Sequence, residues 1–475
     1  MKPPTLLWFR QDLRLTDHSA LFAALERGVP IIPVFIWAPQ EEGDWAAGAA
    51  TCWWLHHSLQ SLAQSIINCG SRLIIRNGSD HGSLAQLRIL LKETNASAVY
   101  WSRRYEPLII KRDTHIKETL RAEGLEVRSF NTTLLTEPWD IHNNSGKPFQ
   151  VFTPYWKNAA AKLFVPSPVK APNKWPAPNR WPATENVTAL KLTPIVPWAE
   201  NFKLSWRPGE QGAIENLTLF LSTVAKDYTE GRNIPSIRGT SRLSPHLHFG
   251  EISPRQIWHI ALMYRGTQFM AELGWREFAH HLLFHFPHTP KEPLRADYNR
   301  FPWREDAAQL RAWQRGMTGI PLVDAGMREL WATGWMHNRV RMVVASFLVK
   351  NLRINWLHGA RWFWDTLVDA DLASNTLGWQ WSAGCGADAA PYFRVFNPVT
   401  QSLKFDPNGL YLRRWLPELT KLSNKEIHAP WECDVATLNK ANVRLGAEYP
   451  KPIVDLKVSR VAALEAWKTI RQLTK

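Results

Sequence analysis

The first 130 residues alternate between short apolar runs and amphipathic stretches, and each apolar run is too short to be a buried helix. TLLWF (5–9), PIIPVFIW (30–37), RLIIR (72–76), SAVYW (97–101) and LEVRSF (125–130) are rich in β-branched and aromatic residues. Between them, Thr51 to Ile67 and Arg112 to Glu123 follow a helical period. Strand and helix in alternation predict a parallel sheet with right-handed crossovers, hence an α/β, Rossmann-like N-terminal domain over residues 1–130. No G-x-G-x-x-G follows the first run, which excludes an ordinary dinucleotide fingerprint but leaves the sheet's carboxyl edge available to a ligand.

The pattern then changes twice. Six prolines between Pro166 and Pro182 forbid continuous helix or sheet there, and residues 131–204 are expected to form a connector. After about residue 205, long helical periods take over, among them Arg255 to Tyr264, Met270 to His285, Gly319 to Thr333 and His337 to Asn351. The expectation is an all-helical C-terminal domain over 205–475. No internal repeat interrupts it.

Composition narrows the function. Lys and Arg total 57 against 42 acids, a formal charge of +15, which favours a polyanion or an anionic cofactor. Cys52, Cys69, Cys385 and Cys433 form neither a C-x-x-C pair nor a disulfide ladder, as expected in a reducing compartment without zinc. Only five apolar residues precede Arg10, and no segment approaches the ~20 needed to span a membrane, so a cytoplasmic protein is expected. The 26 tryptophans are the compositional anomaly, and most lie after residue 150.

Four stretches carry candidate chemistry. DADLASNTLGWQW, Asp369 to Trp381, concentrates two acids, an amide and two indoles; in a continuous helix Asp371, Asn375 and Trp379 would share a face unsuited to a plain core. GTSRLSPHLHFGEISPRQIW, 239–258, has the small hydroxyls and guanidinium that a pyrophosphate needs at a helix start, although an ordinary N-cap uses the same residues. Glu272, Trp275 and Arg276 recur at i, i+3 and i+4, so an indole could stack on an unstacked base while the acid meets its polar edge. Asn338 and Met342 share a face, with Arg339 and Arg341 available for phosphates. By contrast, His281 and His285 stand without a carboxylate or cysteine at ligand spacing, and no P-loop, G-x-S-x-G or H-E-x-x-H occurs, so neither a metal site nor a hydrolase is expected.

Together with WFRQDLRLTD (8–17), TGWMHNRVRMVVASFLVKNL (333–352) and DAAPYFRVFNP (388–398), these motifs resemble the photolyase/cryptochrome family along essentially the whole chain. The resemblance is to its cyclobutane pyrimidine dimer photolyases. It implies an α/β antenna domain and a helical domain that buries FAD. Tyr228, Thr240, Ser241, Arg242, Leu243, Ser244, Asp369, Ala370 and Asp371 match the family's FAD-binding positions, and Asn375 the residue beside flavin N5. An amide there favours the reduced states used in repair; plant cryptochromes usually carry Asp. Trp379, Trp356 and Trp303 match a chain of tryptophans that passes electrons from the surface. Trp275 and Trp381 match the pair that sandwiches a flipped dimer, with Glu272, Arg276, Asn338, Arg339 and Met342 around it and Arg232 and Gln401 as outer DNA contacts.

Histidines stand at the positions of Asn338 and Met342 in (6-4) photolyases, so their absence implies the cyclobutane lesion. Two positions depart from the best-known bacterial pattern. Thr376-Leu377 replaces Asn-Gly, and Leu108-Ile109 replaces an Asn-Glu pair that holds folate. Methenyltetrahydrofolate is still the expected antenna, with a deazaflavin as the alternative. The expected partner is UV-damaged DNA, bound by a monomer that needs no membrane or protein partner. The competing readings are a cryptochrome-like photoreceptor without repair activity and a flavin-free nucleic-acid-binding protein.

Overall fold

A computed structural model describes residues 2–263, 267–389 and 393–472. All five apolar runs of the N-terminal part are strands: β1 Thr5–Phe9, β2 Ile31–Trp37, β3 Ile74–Asn77, β4 Ala98–Ser102 and β5 Glu126–Phe130. They form one parallel sheet in the order β3-β2-β1-β4-β5, with Thr5 in register with both Ile31 and Ala98. Every residue of β1 and β4 is buried, because helices cover both faces of the sheet. The predicted crossovers are the helices Ala49–Asn68 and Pro107–Ala122; the second starts five residues earlier than its periodicity suggests because Pro107 is preorganised for a first helical turn.

At the switch point between β1 and β4, the carboxyl edge is filled by paired charges. Arg10 meets Asp113 at 2.5 Å, Arg104 meets Glu42 and Glu106 at 2.7 Å each, and His18 meets the fully buried Asp12 at 2.8 Å. Burial alone would raise the Asp12 carboxyl; the His18 imidazole and donors from Arg10 and Ser102 bring it down to about 2.

The stretch 131–204 contains one substantial helix, Phe152–Lys162, which packs on the Thr267–His285 helix. Residues 163–186 are irregular, as the prolines require, yet they are tied to the sheet. Ile31 donates to the Pro176 carbonyl at 2.9 Å, Asp17 to that of Val169 at 2.7 Å, and Ile75 of the edge strand β3 to Thr184 Oγ1 at 2.9 Å. The connector thereby caps an otherwise open sheet edge.

In the remaining described residues the named regular elements are all helices, most of them packed around the largest core and those between Ala213 and Leu273 around a separate one. The predicted helix at 337–351 is α-helical over Asn338–Ser346 and widens to a π turn at Phe347–Asn351. Among the described residues, no helix is long and apolar enough to cross a membrane.

Candidate cofactor and nucleic-acid site

Asp369, 8% exposed, joins three predicted segments. Its carboxylate accepts from Arg341 Nη2 at 2.9 and 3.1 Å and from the Ser244 hydroxyl at 2.6 Å. The GTSRLS loop is thus pinned to the start of the DADLASN segment. Gly239 brings Tyr228 and Arg232 to the same loop, since a Cβ there would lie 2.1 Å from the Gly231 carbonyl oxygen. Thr240 and Ser241 are half-buried, whereas Leu243 and Ala370 are core.

Asp371 lies outside the predicted common face. It is the N-cap of the Leu372–Ala383 helix, accepting from Ser374 N at 2.8 Å, and its other oxygen turns to His280 Nε2 at 3.6 Å and His248 Nδ1 at 3.9 Å. Burial opposes its ionisation, but the two imidazoles and Arg276 hold the carboxyl far below its ordinary range. Asn375 and Trp379 do share a face. Asn375 Nδ2 donates to the Ala360 carbonyl at 3.1 Å, and the Trp379 ring lies on Gly359, where a Cβ would come within 2.0 Å of it. Both therefore face the Trp356–Thr366 helix. Trp379 and Trp356 are buried, while Trp303 is only partly so, in a loop whose Arg304 N–H donates to the Arg353 carbonyl just before that helix.

Positive charge concentrates beside Asp369. Arg242, in the left-handed region at φ 52°, stacks its guanidinium 4.7 Å from the Trp335 ring centroid and 5.6 Å from that of Trp206. It has no ion-pair partner among the described residues. His337 accepts from Arg339 N through Nδ1, so its neutral ring carries the proton on Nε2, which is buried and unpartnered. Burial and the neighbouring Arg339, Arg341 and Arg242 push this imidazole down to about 3. An unpaired guanidinium, small hydroxyls and an orphan buried N–H fit the pyrophosphate and carbonyl acceptors of a flavin dinucleotide.

Outside this cluster, Arg232 pairs with Glu272, and Arg339 donates to Asn233 Oδ1 at 2.5 Å while its guanidinium lies 4.5 Å from the Phe405 ring centroid. Phe405 ends the Pro398–Phe405 helix that bears Gln401. Met342 approaches Arg339 with its sulfur at 3.7 Å, and Asn338 is exposed at the first turn of the same helix. Glu272, Trp275 and Arg276 do not converge on one partner, contrary to the expectation from their spacing. Trp275 stacks on Phe152 at 3.8 Å, and Arg276 turns inward to the Thr133 carbonyl at 2.6 Å, because Glu277 and the connector backbone offer acceptors on that side. Trp381 is half-buried, 6.4 Å from Phe396, and residues 390–392 of the adjoining motif lie outside the described residues.

Residues 5–176 match the family model described as DNA photolyase, and residues 269–469 match that described as the FAD binding domain of DNA photolyase. A deoxyribodipyrimidine photo-lyase of Agrobacterium fabrum is 47% identical, the alignment covering 99% of each chain. The chain belongs to the photolyase/cryptochrome family. Its fold superposes on a bacterial class III photolyase from Agrobacterium tumefaciens with a TM-score of 0.95 at 47% identity, covering 99% of this chain and 98% of that one. Cryptochrome-1 of Arabidopsis thaliana is 40% identical over 99% of this chain and 71% of its own length. The α/β plus helical architecture expected from the sequence is the photolyase fold, and the protein is an enzyme of the photolyase type with an FAD-binding domain.

Several residues at this photolyase site escape a linear reading. His248 and His280 meet Asp371 from segments more than 90 residues away. Asn233 engages Arg339 across 106 residues. Phe152 had a local signal, since Phe152, Tyr155 and Trp156 form an aromatic stripe at helical spacing, but nothing local tells which helix the stripe meets. His281 and His285 both approach the Pro138 carbonyl, at 3.2 and 3.1 Å, so their i, i+4 pairing fastens the connector.

Proposed function

We propose that this protein is a light-driven DNA repair lyase that reverses cyclobutane pyrimidine dimers. The observation that carries the reading is the Arg232–Glu272 pair about one helical turn from the half-buried indole of Trp275, in a chain 47% identical to a deoxyribodipyrimidine photo-lyase. Trp275 and Trp381 offer apolar faces to an extruded dimer, whose already weakened pairing and stacking make it the least costly step to flip. The Glu272 carboxylate, held by Arg232, accepts from the Watson–Crick edge of a base. No imidazole stands at Asn338 or Met342 to move a proton, which suits a ring-opening that needs an electron but no obligatory acid or base.

FAD, when bound, supplies the photoexcited electron and takes it back. The chain's part is to hold it: Arg242 and the hydroxyls of Thr240 and Ser241 toward its phosphates, with Ser244, Asp369 and Asp371 orienting the site and Asn375 presenting an amide rather than an acid. The antenna under this reading is methenyltetrahydrofolate, with a deazaflavin as the alternative. Leu108 is exposed and Ile109 buried, and neither has a polar side-chain atom, so the ligand must be held by other residues.

Reduced protein should repair an oligonucleotide bearing one cyclobutane thymine dimer in blue light and not in darkness. A bound, reducible flavin without repair would turn the reading to a cryptochrome-like photoreceptor, which the 40% identity to Cryptochrome-1 makes the rival to test. DNA binding should weaken steeply with salt because phosphate contacts release counterions. Trp379, Trp356 and Trp303 are assigned to resupply electrons by short hops from core to surface. Trp356→Phe or Trp303→Phe is then expected to slow photoreduction of oxidised flavin strongly while chemically reduced protein repairs at nearly the wild-type rate. Equal loss in both assays would contradict the assignment.

A further inference from the structure

From the ring geometry we infer that Phe152, in the stretch that joins the two halves of the chain, is a positioning residue for lesion recognition, acting through Trp275. This rests on the dimer-repair reading above. The Phe152 and Trp275 rings stack at 3.8 Å between centroids and 9° between planes, a face-to-face contact that covers one side of the indole. Phe152 is itself half-buried, and its helix packs on the one that carries Trp275. Its ring is 6.0 Å from Phe278, which is fully buried three residues further along the same helix, and 6.4 Å from Trp156. Phe152 is the only ring stacked on Trp275 among the described residues, and Trp275 stays half-buried, so the opposite face is the one left for a base.

Two further contacts set this backing in place. Gly274, immediately before Trp275, lets Trp156 lie against the helix backbone, since a Cβ there would come within 2.6 Å of that ring. The Phe152 N–H donates to Asp388 Oδ1 at 3.3 Å, while Asp388 N–H donates to the Gln150 carbonyl at 3.1 Å. Asp388 follows Trp381 by seven residues. The start of one short helix therefore braces the Trp275 wall with its ring and ties to the Trp381 segment with its backbone. A tryptophan on a helix surface would otherwise change rotamer freely; the ring behind it holds its plane ready for stacking, and less ordering is left to be lost on binding.

The test compares wild-type protein with Phe152→Leu, which keeps apolar volume but removes the flat surface, and Phe152→Tyr, which restores it. Both are assayed as FAD-loaded full-length protein. Phe152→Leu should raise the KM for a dimer-containing oligonucleotide by up to about tenfold, the order expected of an aromatic pair. Affinity for undamaged DNA, flavin content, photoreduction rate and kcat should stay at wild-type values, and Phe152→Tyr should return the KM. An unchanged KM in Phe152→Leu overturns the inference, as does a loss shared equally by undamaged DNA. Gly274→Ala, which forces Trp156 off the helix, should shift the KM in the same direction and serves if Phe152→Leu does not fold; an unchanged KM there also counts against the brace. Wild-type protein that repairs nothing would instead defeat the functional reading itself.

Discussion

Asp369→Ala is expected to purify with little or no flavin. The substitution removes the shared acceptor of Arg341 and Ser244, so the loop carrying Arg242 loses its tie to the Asn375 helix, and Arg341 is left without its ion-pair partner. Breaking such a pair from one side costs on the order of 3 kcal/mol where the partner stays desolvated. Arg341 is partly exposed, so the loss should appear in cofactor retention before it appears in global unfolding. The ratio of flavin to protein absorbance after gel filtration measures it. Asp369→Asn, which keeps one acceptor, should fall between the two. Full occupancy in Asp369→Ala would remove Asp369 from the cofactor site.

Trp275→Ala should abolish most discrimination for the lesion. Stacking on an aromatic ring contributes about 1–3 kcal/mol per base, which corresponds to roughly 5- to 150-fold in affinity. That loss is expected for dimer-containing DNA alone, because under the proposed reading Arg232, Arg339 and the general positive charge would remain available to phosphates in the variant. Titration of matched oligonucleotides with and without a dimer gives the ratio directly. A ratio unchanged from wild type, with both affinities reduced together, would place Trp275 in general DNA binding. The Phe152 substitutions act on the same ratio through the same indole and should add little to Trp275→Ala, since residues acting through one contact are non-additive.

What was legible along the chain were features whose causes are local. The strands β1, β2 and β4 announced themselves as uninterrupted apolar runs because a parallel sheet covered on both faces accepts no polar alternation, whereas the edge strands β3 and β5 carry Arg76, Glu126 and Arg128 at partly exposed or exposed positions. The proline run foretold the irregular path of residues 163–186 because its φ angles and missing donors hold wherever it lies. The i, i+4 pair Asn375 and Trp379 did share a face, as helical geometry demands once the helix exists. Asp371 left that face because an acid at a helix start is drawn to the free N–H groups of the first turn. Arg276 likewise turned from Glu272 and Trp275 to a carbonyl 143 residues away.

By itself, therefore, the sequence determined the α/β and helical halves, the proline-rich path between them and the motif-bearing segments, because periodicity, backbone restriction and side-chain chemistry act over a few residues. Only the tertiary structure decided that Ser244 and Arg341 would share Asp369, that His248 and His280 would flank Asp371, and that a phenylalanine before the proline run would back the indole proposed to receive DNA. These pairings join residues tens to more than a hundred positions apart. Their formation depends on how helices dock, and docking is set at positions such as Gly239, Gly274 and Gly359, where the absence of a side chain lets two backbones or a ring approach.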